Sequence, residues 1–208
     1  MQVVPEKFEH PQDVAQFRRP AHRDGIELYR AHIVRHAFDP HTHEAYGLGA
    51  IESGVERFRY RGSEHLAPPD SLVMMNPDVL HTGRAETEGG WRYRMAYIDA
   101  DVVEAVTGER GWQFSDAVHH DVARARRVST LLDRLWVAHE PLAFDSLLPT
   151  LLQEFRSQAR VPEPAAGEGT PRFKRVIEYL RANLAERLTL QQLADVAGAL
   201  DATGPSAY

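Results

Sequence analysis

His41-Thr42-His43-Glu44-Ala45-Tyr46, followed after several turns by Pro68-Pro69-Asp70-Ser71-Leu72-Val73-Met74-Met75-Asn76-Pro77-Asp78-Val79-Leu80-His81, is the stretch on which the reading of this chain rests. Side chains at i and i+2 of a strand share a face, so His41 and His43 would present two imidazoles together. His81 enters after the turn Asn76-Pro77-Asp78. If its strand neighbours the first, three nitrogen donors meet, a set that suits zinc, nickel, copper or iron.

Around this stretch lie short β-rich runs at Ile26–Val34, Tyr46–Ile51, Val55–Tyr60, Ser71–Met75 and Tyr93–Ile98, each bounded by Gly, Pro, Asn or Asp. Spacing of this kind predicts a barrel or sandwich. In Arg57-Phe58-Arg59-Tyr60-Arg61 charge and aromatic alternate, so Phe58 and Tyr60 share one face and the guanidiniums the other. Either the arginine face is solvated or one arginine points into a polar pocket. The segment before Gly25, with Phe8, Val14 and Phe17, is read as an arm that closes over a pocket or as a first barrel strand.

The pattern changes near Ala117. Val128, Leu131, Leu132, Leu135 and Trp136 follow helical spacing, as do Leu147, Leu148, Leu151, Leu152 and Phe155, with Asp145 placed as an N-cap between them. These predict an antiparallel helical hairpin, one of whose stripes could serve a second subunit. Residues 161–171, rich in Pro, Gly, Ala and Glu, read as a linker. Beyond it, Phe173 to Leu184 predicts one more helix, and Leu188-Thr189-Leu190-Gln191-Gln192-Leu193 opens another, capped by Thr189 with Gln192 at the capping-box position.

Composition narrows the function classes. With 43% hydrophobic and 26% charged residues, the 208-residue chain has the make-up of a folded soluble protein. No apolar run reaches the roughly 18 to 20 residues of a membrane span, and no signal-like start is present, so a cytoplasmic site without membrane partners is expected. Zero cysteines exclude thiolate metal sites and cysteine nucleophiles, leaving His and carboxylate as metal ligands. The net charge of −6 disfavours non-specific DNA binding. Eight of the eleven histidines fall in the first 81 residues, which places any histidine chemistry in the β-rich half. Nucleophile-elbow, P-loop and dinucleotide fingerprints are all missing.

The two histidine-bearing stretches resemble the two-part signature of the cupin barrel. The run from Phe38 to Gly83, continued by Gly90-Trp91-Arg92-Tyr93-Arg94, is similar to the effector-binding domain of AraC/XylS-type transcriptional regulators, and Arg187 to Gly198 is similar to the opening of that family's first helix-turn-helix. The resemblance implies a mixed β and α fold: a cupin-like double-stranded β-barrel over residues 1–115, a helical hairpin over 116–160 that makes the dimer contact, a linker over 161–171 and a helix-turn-helix remnant over 172–208. It implies a ligand-responsive regulator that forms a homodimer, is not an enzyme and requires no cofactor. Tyr46, Arg57, Arg59, Trp91 and Tyr93 are available to the effector, and Thr189, Gln191 and Gln192 to DNA.

Departures from the family pattern shape the expectation. Metal-binding cupins place a glutamate after three or four intervening positions beyond His-x-His, where this chain has Gly47 and Leu48, while Glu44 should face away. Pro69 stands where glycine is common. The remnant carries five basic and four acidic residues, and no recognition helix follows Gly198 in the sequence pattern, so weak or absent DNA binding is expected. Three roles stay open for His41, His43 and His81: pocket lining without metal, a site for zinc, nickel or iron, or the centre of a metal-dependent cupin enzyme, an oxygenase or isomerase.

Overall fold

The structure, a computed structural model, describes residues 8–162, 169–183 and 188–198. It divides into two compact units, Met1–Pro162 and Glu163–Tyr208.

In the first unit the chain runs through β1 (Val14–Arg18), β2 (Ile26–Ile33), β3 (Phe38–His41), β4 (Tyr46–Ser53), β5 (Glu56–Tyr60), β6 (Ser63–Ala67), β7 (Ser71–Met75), β8 (His81–Ala85) and β9 (Trp91–Ile98). Then follow α1 (Ala100–Thr107), β10 (Gln113–Phe114), β11 (Val118–His120), α2 (Val122–Val137), α3 (Pro141–Arg156) and β12 (Ala159–Arg160). One sheet has the order β1-β2-β9-β4-β7-β11, a second has β3-β8-β5-β6, and β10 pairs with β12. This is the cupin-like barrel followed by a helical hairpin. The arm expected before Gly25 is, among the described residues, a fixed edge strand: β1 pairs antiparallel with β2 from Val14↔His32 to Arg18↔Leu28.

Strand alternation gives the larger sheet two cores. Tyr29, Ile33, Val73, Met75, Trp91, Tyr93 and Met95 face inward and meet Phe58, Tyr60 and Ala67 of the smaller sheet. Leu28, Tyr46, Leu48, Leu72, Met74 and Ile98 face outward and meet both hairpin helices. Ala125, Val128, Leu131, Leu132 and Leu135 of α2 are buried, and so are Phe144, Leu148, Leu151, Leu152 and Phe155 of α3, so the apolar stripes of both helices are consumed within their own unit. Arg30 caps the contact by lying 4.2 Å from the Trp136 ring centre.

The helix boundaries follow from capping chemistry. Asp121 accepts from the Arg124 N–H at 2.9 Å and starts α2. The second helix begins at Pro141, earlier than Asp145, because proline fits the first helical turn; Asp145 lies inside the helix and is paired with Arg23 at 2.8 Å. In the turn Pro68-Pro69-Asp70 the left-handed conformation falls on Asp70, φ +61°, so Pro69 is not asked to adopt it. Arg61 and Gly62, φ +50° and +80°, close the β5–β6 hairpin with the backbone signs of a type I′ turn.

Two buried polar side chains fasten loops to this frame. Asp13 is 7% exposed and accepts from the N–H groups of Val34, Arg35 and His36 at 2.5, 2.9 and 3.0 Å. Asn76 is 4% exposed; its amide donates to the Tyr60 hydroxyl and the Phe114 carbonyl, and its oxygen accepts from the Phe114 N–H, each at 2.9 Å.

In the second unit α4 spans Gly169–Ala182 and α5 spans Leu190–Gly198. The expected linker therefore ends sooner, with Pro171 in the first turn of a helix that tolerates it. Thr189 and Gln192 form the expected capping box: the Thr189 N–H donates to Gln192 Oε1 at 2.8 Å and the Gln192 N–H to Thr189 Oγ1 at 3.3 Å. Phe173 and Leu184 lie where side chains are outside the described residues.

Two stability outcomes follow. Asn76→Ala orphans the Phe114 N–H and removes the amide's bonds to the Phe114 carbonyl and the Tyr60 hydroxyl, so a loss of about 3 kcal/mol is expected in denaturant unfolding. Burial works against the Asp13 charge, but the N–H groups of Arg35, Val34 and His36 outweigh it and hold the carboxyl below its ordinary value. Its contribution is complete above the unfolded aspartate value of about 3.9 and fades as pH falls through the lower folded one. Asp13→Asn should therefore cost about 1–3 kcal/mol at pH 7, with the gap from wild type closing in strong acid.

Candidate functional site

The strand β3 ends at His41, which pairs directly with His81, the first residue of β8. His43 lies just beyond the strand, and the Asp78 N–H donates to its carbonyl at 2.7 Å. Asp78 takes φ +60° to make that bond, so the turn leading into His81 is tied to the backbone of His43. The three rings sit 4.3 Å (His41–His81), 5.0 Å (His41–His43) and 5.1 Å (His43–His81) apart, centre to centre. One nitrogen from each lies within 4.8 Å of the others. His43 and His81 are buried and His41 is half-buried.

Hydrogen bonding leaves these rings ready to donate lone pairs. His41 Nδ1 is 2.6 Å from the Asp39 carbonyl and His81 Nδ1 is 2.8 Å from the Val79 carbonyl. A ring nitrogen facing a carbonyl carries the proton, which leaves Nε2 free in both. Burial, with the neighbouring His81 and His41, pushes His43 down to about 3. Burial pushes His81 down to about 4, against the pull of the Val79 carbonyl. Both rings are neutral at pH 7, the protonation state a metal ion requires.

The donor set fits a transition metal with three imidazole ligands. Space explains why no glutamate follows His-x-His. A Cβ placed on Gly47 would lie 3.2 Å from Met75 Cβ and 3.3 Å from Met95 Cε, so the barrel is already filled there, and Leu48 faces the other core. The carboxyl that does line the cavity comes from β5: Glu56 shares it with His41, His81, Tyr93 and Tyr97.

The other sequence-predicted residues separate. Trp91 and Tyr93 lie inside the barrel, stacked at 5.5 Å with 9° between ring planes, and Tyr93 reaches the cavity. Tyr46 does not: it faces the hairpin core, and its hydroxyl donates to the Trp112 carbonyl at 2.8 Å. Arg57 and Arg59 are also outside, because β5 turns Glu56, Phe58 and Tyr60 inward. Arg57 pairs with Glu64 and Glu86, and Arg59 is exposed. Thr189 and Gln192 are occupied in capping α5, and Gln191 bonds Asp195 at 2.9 Å. The residues that sequence reasoning missed are Glu56 and Tyr97. Glu56 had a signal, since it keeps step with Phe58 and Tyr60; so did Tyr97, in step with Trp91 and Tyr93.

Comparison with known proteins gives this geometry a family. The AraC-like ligand binding domain matches residues 25–156. A curated relative from Bacillus subtilis, the uncharacterized HTH-type transcriptional regulator YbfI, is 25% identical over 187 residues, and the alignment covers 83% of this chain and 66% of that protein. The chain thus spans just under two thirds of that relative's length. The fold is shared with apo ToxT from Vibrio cholerae, at a TM-score of 0.57 and 7% identity over 86% of this chain and 71% of that one. It is shared also with the AraC-like transcriptional activator CuxR, at 0.51 and 12% over 84% and 66%. A match over the barrel and hairpin together makes this chain a member of the AraC-like ligand-binding domain family.

Proposed function

We propose that the chain senses a small molecule in its barrel as part of an AraC-type transcriptional regulator, and is not an enzyme. The observation that carries this reading is the family match centred on a barrel whose interior, unlike an ordinary apolar core, brings the imidazoles of His41 and His81, two phenols and a carboxyl to one cavity, with His43 beside them. Convergent polar groups in an otherwise apolar concavity are the usual make-up of a ligand site. Tyr93, backed by Trp91, supplies stacking surface and His81 a hydrogen-bonding edge, while Arg57, Arg59 and Tyr46 take no part.

Dimerisation is assigned to the hairpin. Its inward stripes are used up, but Val137 and Leu142, at 66% and 81% exposure, leave an apolar tip where α2 meets α3. An effector acts only by preferring one arrangement of this dimer over another. Duplex DNA is the expected partner of the family's complete regulators; for this chain, with one excess positive charge after the linker, affinity is expected to be weak. Among the described residues no helix is long and apolar enough to cross a membrane.

If zinc, nickel or iron is bound, His41, His43 and His81 hold it, and the metal offers a coordination position to a ligand oxygen or nitrogen. The same triad favours a second reading, a metal-dependent cupin oxygenase or isomerase. Metal dependence of turnover would separate the two.

Two outcomes test these readings. Chelator-treated protein re-supplied with zinc should retain about one equivalent by elemental analysis, and His81→Ala none. By sedimentation velocity the wild type should be a dimer and Leu142→Glu a monomer of unchanged thermal midpoint; a wild-type monomer would remove the hairpin contact.

A further inference from the structure

Inside the barrel, one ionisable group has no assigned work. Glu56 lines the cavity, yet among the described residues no hydrogen bond or ion pair engages its carboxyl. Its strand places the charges of Arg57 and Arg59 outward, whereas Glu56 is half-buried and turned toward the cavity, where a carboxyl without a partner gives up part of its hydration uncompensated. Burial pushes it up to about 8. Such an arrangement persists where a ligand supplies the missing partner.

The surroundings define that partner. No lysine or arginine lines the cavity, so no fixed positive charge there balances an anion. Three phenol rings stand together: Tyr29–Tyr93 and Tyr29–Tyr97 centres are 5.4 and 6.3 Å apart. The Tyr29 hydroxyl is itself buried without a partner among the described residues. A carboxyl beside aromatic rings is the arrangement that recognises an ammonium group, by ion pairing and by attraction to the ring faces. The space is only about 30 Å³, room for an ammonium head group with the carbon skeleton directed outward, and Met75 and Met95 form its apolar, adaptable walls.

We propose that the barrel takes a ligand bearing an amine, and that Glu56 binds its ammonium with Tyr93 and Tyr97 alongside. This rests on the reading of the barrel as an effector pocket and adds the chemical class of the effector.

The test compares n-butylamine, n-butanol and butyrate, matched in shape and different in charge, by calorimetry on the full chain with a chelator present to keep metal off the imidazoles. The amine should bind about ten- to a hundredfold more tightly than the alcohol, and butyrate more weakly than either. Glu56→Gln, nearly isosteric and expected to be at least as stable as wild type in a thermal melt, should reduce the amine to the alcohol's affinity. Equal binding of amine and alcohol by the wild type overturns the proposal without needing any variant, as does an amine preference that survives in Glu56→Gln. If only the alcohol or the acid binds, the amine assignment falls and the effector pocket stands. If none binds, either to the wild type or to Tyr93→Ala, whose cavity is wider, both fall.

Discussion

A single backbone bond, from the Asp78 N–H to the His43 carbonyl, ties the turn that delivers His81 to the segment that carries His41 and His43. The histidines arrive from separate parts of the chain, and nothing in their chemistry draws neutral imidazoles together. What draws them is the turn Asn76-Pro77-Asp78. Asn76 anchors its start to Tyr60 on one sheet and to Phe114 beyond the other, using both ends of its amide. Pro77 fixes the next φ, and Asp78, in the left-handed region, aims its N–H at His43. Each step satisfies a polar group that burial would otherwise penalise, so the site's geometry is enforced by the fold's own hydrogen-bond accounting.

The two cores divide stability from function. The outer face of the large sheet meets α2 and α3 through Leu, Ile, Val and Phe side chains with almost no exposed area, a conventional apolar interface. The barrel interior brings Tyr29, Tyr93 and Tyr97 of the large sheet to Glu56, His41 and His81 of the small one, groups whose polar atoms cost free energy where they are buried without a partner. The barrel also has an apolar core of its own in Ile33, Ile51, Phe58, Val73 and Met95. Packed against the hairpin, it can keep polar groups inside because the other face of the same sheet supplies the apolar burial.

Much of this was legible in the sequence. The central strands, the hairpin and the His41, His43, His81 grouping follow from alternation, helical spacing and family resemblance. What was not legible was the hand of each strand, which alternation leaves open to a twofold choice: it pairs Phe58 with Tyr60 and sets Arg57 apart, but does not say which set is inside. Tyr46 was misplaced for that reason, and Glu56 was overlooked although it shares the inward set. The short strands β1, β3, β6 and β8 carry weak local patterns and are defined by pairing with distant partners, which a local reading does not see. The start of α3 shows the reverse case, where Pro141 was read as punctuation and is the first helical residue.

The charge balance of the cavity links its two candidate occupants. Three imidazoles and one carboxyl with no basic side chain make a site that accepts one cation readily and a second with difficulty. A divalent metal on the imidazoles would favour ionised Glu56 and supply its counter-charge from within the cavity, leaving an ammonium nothing to neutralise. Without metal, Glu56 stays without a partner, and the free energy of placing a cation beside it is available to a ligand. Metal and amine therefore oppose each other through Glu56 even if they never touch, and by linkage bound metal weakens the amine by the same factor as bound amine weakens the metal.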